Sequence, residues 1–297
     1  MLEVASPGAV RGLLRRYNIA CRKSLGQNFL VDANIINKIL QESALTRDDL
    51  VLEIGPGLGA LTGEAAQKAG RVVAVEIDRG LLPVLAETLA GAGNVEVIEG
   101  DALKTDFDRL AAEQTGGVFG RDAKPYKLLG NLPYYITSPL LMHLLLNRFN
   151  FSQAIVMVQL EVAERLDAVP GNKQYGSLSV AVQYFTETKL LFKVPRTVFF
   201  PTPEVDSAVL RLTRRSRPAV EVEDEKTFFK VVRAAFGQRR KTLLNSLVGA
   251  GLGPDKGAWQ KILATCGLAP SRRGETLTLA EFAALTKAYL ASQTVGQ

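Results

Sequence analysis

Short apolar runs, each closed by glycine or by a polar residue, alternate with stretches of helix formers through the first two thirds of the chain. Val51-Leu52-Glu53-Ile54 is one such run, and Ala60 to Ala69 after it is rich in helix formers. The order repeats with a strand at Arg71 to Val75, a helix at Leu81 to Ala90 and a strand at Asn94 to Ile98. Further strands are expected at Tyr126 to Leu129 and Ala154 to Gln159, then a helix from Glu161 to Asp167. Runs of this length read as strands buried on both faces, so the pattern predicts a mostly parallel α/β sheet. Tyr184 to Lys193 and Ala208 to Thr213 alternate instead, and are expected to close the sheet as an antiparallel pair. Past Arg214 comes a charged linker and then helical periodicity, including Thr278-Leu279-Ala280-Glu281, a capping box. Two domains follow: residues 1–213, and a small helical domain at 214–297.

Candidate chemistry collects at the strand ends. Gly55, Gly57 and Gly59 alternate directly after the first strand, where backbone must approach a ligand closely. Glu76 ends the next strand, seventeen residues after Gly59, about where a ribose diol would be gripped. Asp101 follows the third strand on the same carboxyl edge and can accept from an adenine amino group. Dinucleotide enzymes and methyltransferases both use this geometry. The form Glu-x-Gly-x-Gly-x-Gly resembles motif I of the S-adenosylmethionine-dependent methyltransferases, a Rossmann-like class I fold. Asn28 could bond a polar cofactor tail with Phe29 and Leu30 covering it; a helix entry capped by Asp32 explains the same stretch equally well. Asp78 reads as a helix-start acid.

Composition narrows the classes. With 47% apolar and 22% charged residues among 297, this is an ordinary globular chain. No apolar run approaches a bilayer span; Leu140 to Leu146 is interrupted by His143, which reads as a packing residue. Two distant cysteines, Cys21 and Cys266, and a single histidine offer no zinc site and suit a reducing cytoplasm. The net charge of +6 is uneven: +4 over residues 1–30, −6 over 31–207 and +8 over 208–297. Basic ends around an acidic body suit a polyanionic partner, although solvated charge gives some imbalance too. Arg11, Arg15 and Arg16 mark a short basic helix at Val10 to Tyr17. Lys230, Arg233 and Arg240 share a helical face if that helix runs through Gly237.

Gly130-Asn131-Leu132-Pro133-Tyr134-Tyr135 sets an amide, a proline-fixed backbone and an aromatic at a further strand end. Asn-Leu-Pro-Tyr resembles motif IV of adenine-N6 methyltransferases. With Lys23 to Leu30, Glu53 to Gly59, Phe199 to Ser207 and Arg233 to Leu247, it resembles the ribosomal RNA adenine dimethyltransferases of the KsgA type. Tyr135 stands where many members carry asparagine.

The resemblance implies N6-dimethylation of two adjacent adenosines in the 3′-terminal hairpin loop of 16S rRNA, with S-adenosyl-L-methionine as donor. It further implies Asn28, Leu30, Gly55, Gly57, Glu76, Asp101 and Asn131 around the cofactor. Asn131 and the Leu132 carbonyl would receive the target amine, and Tyr134 and Phe199 would stack on its ring. A monomer acting on the small subunit or its precursor is expected, with no membrane role. Alternatives are a 23S rRNA adenine methyltransferase conferring macrolide resistance and a non-catalytic RNA-binding assembly factor. A nicotinamide dehydrogenase fits the glycine spacing least.

Overall fold

The computed structural model describes residues 4–22, 25–238 and 240–294. The chain divides into two compact units: Met1–Ala163 with Glu187–Arg214, and Glu164–Thr186 with Arg215–Gln297. The segment Glu164–Thr186, drawn from sequence into the catalytic domain, groups with the C-terminal helices.

In the first unit, α1 (Pro7–Arg16), β1 (Phe29–Leu30) and α2 (Ala33–Ser43) precede β2 (Leu50–Ile54) and α3 (Ala60–Ala66). Then come β3 (Arg71–Glu76), α4 (Leu82–Thr88), β4 (Val95–Glu99), α5 (Phe107–Thr115), β5 (Tyr126–Asn131), α6 (Thr137–Leu146) and β6 (Phe151–Gln159). The unit closes with β7 (Thr186–Val194), β8 (Phe199–Phe200) and β9 (Ser207–Arg214). The main sheet runs β4-β3-β2-β5-β6-β9-β7. Its first five strands are parallel, with Leu52 opposite both Val73 and Leu128, and β9 is antiparallel to β6. Every residue of β2 is buried, as a strand covered on both faces requires. Asp32 caps α2 through the Asn34 and Ile35 N–H groups, so Ile36, Ile39 and Leu40 pack on Val51, Val72 and Leu129. The structure is the mostly parallel Rossmann-like sheet the pattern predicts, with the antiparallel β9 set between β6 and the edge strand β7.

Among the boundaries that moved, two have a clear physical reason. β5 extends through Gly130 and Asn131, opposite Val156 and Met157. A Cβ at Gly130 would meet the Ile54 carbonyl oxygen at 3.0 Å, so only glycine lets the strand continue there. The expected strand from Tyr184 begins instead at Thr186, because Tyr184 and Phe185 end α8 (Ser177–Phe185). Tyr184 stacks on Phe228 at 5.1 Å and Phe185 on Phe229 at 5.8 Å, and this aromatic cluster imitates strand alternation.

The second unit holds α8, α9 (Glu225–Phe236), α10 (Leu243–Gly249), α11 (Lys256–Thr265) and α12 (Leu279–Thr294); α7 (Leu160–Leu166) leads the chain into it. Trp259 of α11 stacks on Tyr289 of α12 at 5.3 Å. Thr278 and Glu281 bond each other's backbone N–H, the expected capping box. The helix through Gly237 does not form: α9 ends at Phe236 with Gly237 as its cap, and Arg240 lies in the turn beyond. Glycine is a poor helix former, and Thr242 starts α10 with its own cap. Lys230 and Arg233 therefore share a face without Arg240; Arg239, like Lys23 and Ser24, lies outside the described residues.

Candidate functional site

The carboxyl ends of β2, β3 and β5, with the turn after β4, meet around a cavity of about 290 Å³. Gly55 to Leu58, Glu76 and Ile77, Gly100 to Leu103 and Gly130 to Ile136 line it, and Leu25 to Leu30 form a further wall. The cavity thus joins the glycine turn to the Asn131–Tyr134 turn, which lie far apart in sequence. Gly55 and Gly57 have φ of +71° and +59°, and the Gly55 N–H donates to the Val75 carbonyl at 3.0 Å. A Cβ at Gly57 would come within 3.1 Å of the Phe29 ring, so this turn and the N-terminal segment fit closely only with glycine.

Three carboxylates serve the cavity. Glu76 is 5% exposed; its Oε1 accepts the Asp78 N–H at 2.8 Å. Burial raises its pKa, partly offset by the Asp78 and Gly57 N–H groups. Asp101 accepts the Leu103 N–H at 2.9 Å, with Lys104 Nζ at 3.7 Å from its other oxygen. Glu53, in the middle of β2, is the residue that sequence reasoning left without a role. It is 1% exposed, its Oε2 has no hydrogen-bond partner, and burial first, then the Glu76 charge, pushes its pKa up to about 7. An acid inside an otherwise apolar strand was the available signal.

The N-terminal wall is anchored from beneath. Gln27 Nε2 donates to Asp78 Oδ2 at 2.7 Å and Arg22 lies 3.2 Å from Oδ1. Asp78, buried to 1% exposure, also accepts the Gly80 N–H, so the helix-start acid holds the Leu25–Leu30 wall as well. Asn28 turns its amide onto the Gly26 carbonyl, and Leu30 is buried.

At the β5 end of the cavity, Asn131 Nδ2 donates to the Asn28 carbonyl at 2.9 Å, which leaves Oδ1 able to accept. The Leu132 N–H is held by Met157 at 3.0 Å. The half-buried Tyr134 pairs its hydroxyl with that of Ser207 at 2.9 Å, an anchor not foreseen from sequence. Phe199 is not brought to the cavity. It pairs with Leu30 in the small β1–β8 ladder and sits, 3% exposed, in the apolar cluster with Ile36 and Ile39. His143 packs on Phe149 and bonds the Thr105 carbonyl through Nε2.

Glu53 makes the ligand-free protein sensitive to pH. Its folded pKa lies above the ordinary carboxylate value, so its contribution to stability is complete below about 4.5 and is lost as pH rises through about 7. Glu53→Gln therefore gains on the native protein between pH 5 and 8, by up to about 3 kcal/mol. Urea unfolding at the two pH values measures the gain; a constant difference between the proteins would mean that Glu53 titrates normally.

Comparison with known proteins follows the same lines. Residues 18–285 match the family described as ribosomal RNA adenine dimethylase. The chain is 65% identical to ribosomal RNA small subunit methyltransferase A of Pelotomaculum thermopropionicum, over 98% of each chain. It is 56% identical to the protein of that name from Moorella thermoacetica, covering 97% of this chain and 99% of the other. Among solved structures, a dimethyladenosine transferase from Plasmodium falciparum superposes with TM-score 0.73 at 27% identity, over 89% of this chain and 98% of that one. The 23S rRNA methyltransferase ErmE gives 0.65 at 28%, over 88% and 99%.

Proposed function

This chain belongs to the ribosomal RNA adenine dimethylase family, and from that premise we propose that it dimethylates N6 of two adjacent adenosines in the 3′-terminal hairpin loop of 16S rRNA. One observation carries the reading: a single cavity joins the acids of β3 and the β4 turn to the Asn131–Tyr134 turn of β5. The small-subunit enzymes resemble the chain at 65% and 56% identity against 28% for the 23S enzyme, which favours 16S rRNA.

The cavity suits S-adenosyl-L-methionine. Glu53, buried with its Oε2 unpartnered, has the chemistry to face the ammonium of the amino-acid tail; Glu76 would take the ribose diol and Asp101 the adenine amino group. Bare backbone at Gly55 and Gly57 admits the nucleoside, and Asn28 and Leu30 cover the tail. When bound, this cofactor supplies an electrophilic methyl group on a sulfonium.

The chain's own residues do the rest. The adenine amine is a poor nucleophile while its lone pair is shared with the ring. Asn131 Oδ1 and the Leu132 carbonyl would accept its hydrogens and favour the pyramidal geometry that frees the pair. Alignment within the cavity then accounts for most of the rate, and the proton leaves to solvent once the new bond forms. Tyr134, its hydroxyl held by Ser207, would stack on the extruded base, worth ~1–3 kcal/mol. The matching role of Phe199 rests on the family resemblance alone and requires its ring to leave the core.

We place the catalytic domain within residues 1–213, its segment Glu164–Thr186 grouping with the C-terminal helices, and RNA recognition at 214–297. In the second unit, Lys230, Arg233, Gly237, Gln238, Ser246 and Gly249 help line a groove of about 360 Å³ with no acid in its walls among the described residues. Such a groove fits phosphates. Replacing both Lys230 and Arg233 with alanine should flatten the dependence of log K on log salt by about 1 to 2 for small-subunit RNA, measured by filter binding. An unaltered slope would make the groove a solvated face. We also read the protein as a monomer acting in the cytoplasm, where this substrate is assembled; no described helix is long and apolar enough to cross a membrane.

The deciding experiment transfers labelled methyl groups to unmethylated small subunits, large-subunit RNA and DNA in parallel, with nucleoside analysis of the products. Dimethyladenosine confined to small-subunit RNA is expected. Label in large-subunit RNA would move the chain to the 23S enzymes, and no label despite cofactor binding would make it a non-catalytic RNA-binding factor.

A further inference from the structure

Two tyrosines stand side by side at the end of β5, and the fold uses them differently. Tyr134 is half-buried with its hydroxyl tied to Ser207. Tyr135 is 53% exposed, lines the same cavity, and its hydroxyl has no hydrogen-bond partner among the described residues. An exposed aromatic by itself is unremarkable, because folded surfaces carry many apolar atoms. This one is seated on something. A Cβ built on Gly26 would lie 3.4 Å from Tyr135 Cδ1 and 3.5 Å from Pro133 Cβ, so one side of the ring rests on the loop of the N-terminal wall. Asp101 and Glu76 line the same cavity, and after desolvation their charges raise the phenol's pKa. The side chain therefore rests on the Gly26 loop and faces the same cavity as the two acids assigned above to the adenine and the ribose. Ile77, directly after Glu76, is the other large apolar side chain that both lines this cavity and stands exposed, at 49%.

Building on the cofactor reading above, we propose that Tyr135 is a cofactor-retaining residue. Its ring closes over the nucleoside of the methyl donor opposite Ile77, and its hydroxyl donates to the ribose beside Glu76. Asparagine, common at this position in the resembling family, is too short to cover a nucleoside, so retention would be a property of chains with tyrosine here. The ring touches no reacting atom. It acts on occupancy and residence, and the donor and its demethylated product, which share the nucleoside, are held alike.

The test measures binding of S-adenosylmethionine and S-adenosylhomocysteine by calorimetry and stopped-flow dissociation without RNA, for the unsubstituted protein, Tyr135→Ala and Tyr135→Phe. Methyl transfer to small subunits at saturating cofactor is measured alongside. Tyr135→Ala should weaken both ligands about tenfold, mostly through faster dissociation, with kcat at saturating cofactor within about twofold. Tyr135→Phe should lose about two- to threefold, the share of the hydroxyl. Since the residue is exposed, thermal unfolding of the variants should match the parent. Unchanged cofactor affinity in Tyr135→Ala would overturn the proposal, and a raised KM for RNA alone would do so by assigning the ring to the target strand. Failure of the unsubstituted protein to bind either ligand would instead overturn the cofactor reading beneath it.

Discussion

Asn131→Ala lowers the rate of methyl transfer at saturating cofactor by about a hundred- to a thousand-fold, the scale seen when one fixed hydrogen-bonding group is removed from a reacting centre. The Asn28 carbonyl holds the amide nitrogen at 2.9 Å, so the side-chain oxygen is set before any target arrives. Alanine removes both ends of that arrangement. The oxygen that would accept an adenine hydrogen is gone, and so is the tie that positions the cofactor-side wall. RNA binding should survive within a few-fold, because none of this involves a phosphate contact, and cofactor affinity should fall only modestly. Asn131→Asp separates the two functions: it keeps an oxygen but sets a carboxylate against the Asn28 carbonyl, so the rate should lie between parent and alanine. Single-turnover transfer to small subunits decides the matter, and an alanine variant within tenfold of the parent would remove Asn131 from the mechanism.

Glu76→Ala should instead raise the dissociation constant for S-adenosylmethionine about 30- to 100-fold while leaving the rate at saturating cofactor nearly unchanged. Charge-assisted hydrogen bonds are worth roughly 1.5–3 kcal/mol each, and a ribose diol presents two donors to one carboxylate. Glu76 is already oriented by the Asp78 N–H at 2.8 Å and sits 5% exposed, so little is spent on ordering it. The same burial means that alanine leaves that N–H without its acceptor, costing ~1–3 kcal/mol of stability. Glu76→Gln is the control: it keeps an acceptor for the backbone and loses the charge, so affinity should drop without much loss of stability. Calorimetric titration with thermal unfolding reads both, and unaltered affinity in the alanine variant would move the ribose elsewhere.

The carboxyl edge was legible because buried parallel strands tolerate only apolar residues until they end. Glu76, Asp101 and Asn131 stood out against that background, and the cavity brings all three together. Glu53 was as visible and harder to interpret, since an acid inside a strand acquires meaning only when one of its buried oxygens is seen to lack a partner. Tyr184 and Phe185 misled by alternation: their partners, Phe228 and Phe229, lie more than forty positions away, and no local pattern announces such a cluster. Phe199 belongs to a motif whose resemblance implies a stacking ring, but the ladder with Leu30 turns it into the core, a pairing that depends on residues at the opposite end of the unit. The stop at Gly237 could be read locally; the basic face had depended on overriding it.

The strand β9 lies between β6 and β7 although it is made after both. Synthesis runs from one end, so β7 leaves the ribosome with its neighbour in the sheet still unwritten, and β6 leaves with one edge open. The same late strand begins with Ser207, which holds Tyr134. A chain interrupted just before that residue already carries the glycine turn, Glu53, Glu76, Asp101 and Asn131, yet the Tyr134 hydroxyl lacks its Ser207 partner. The order of the sheet therefore acts as a clock, in which the parts that would hold a methyl donor are translated first and the part that steadies the target-side ring comes last.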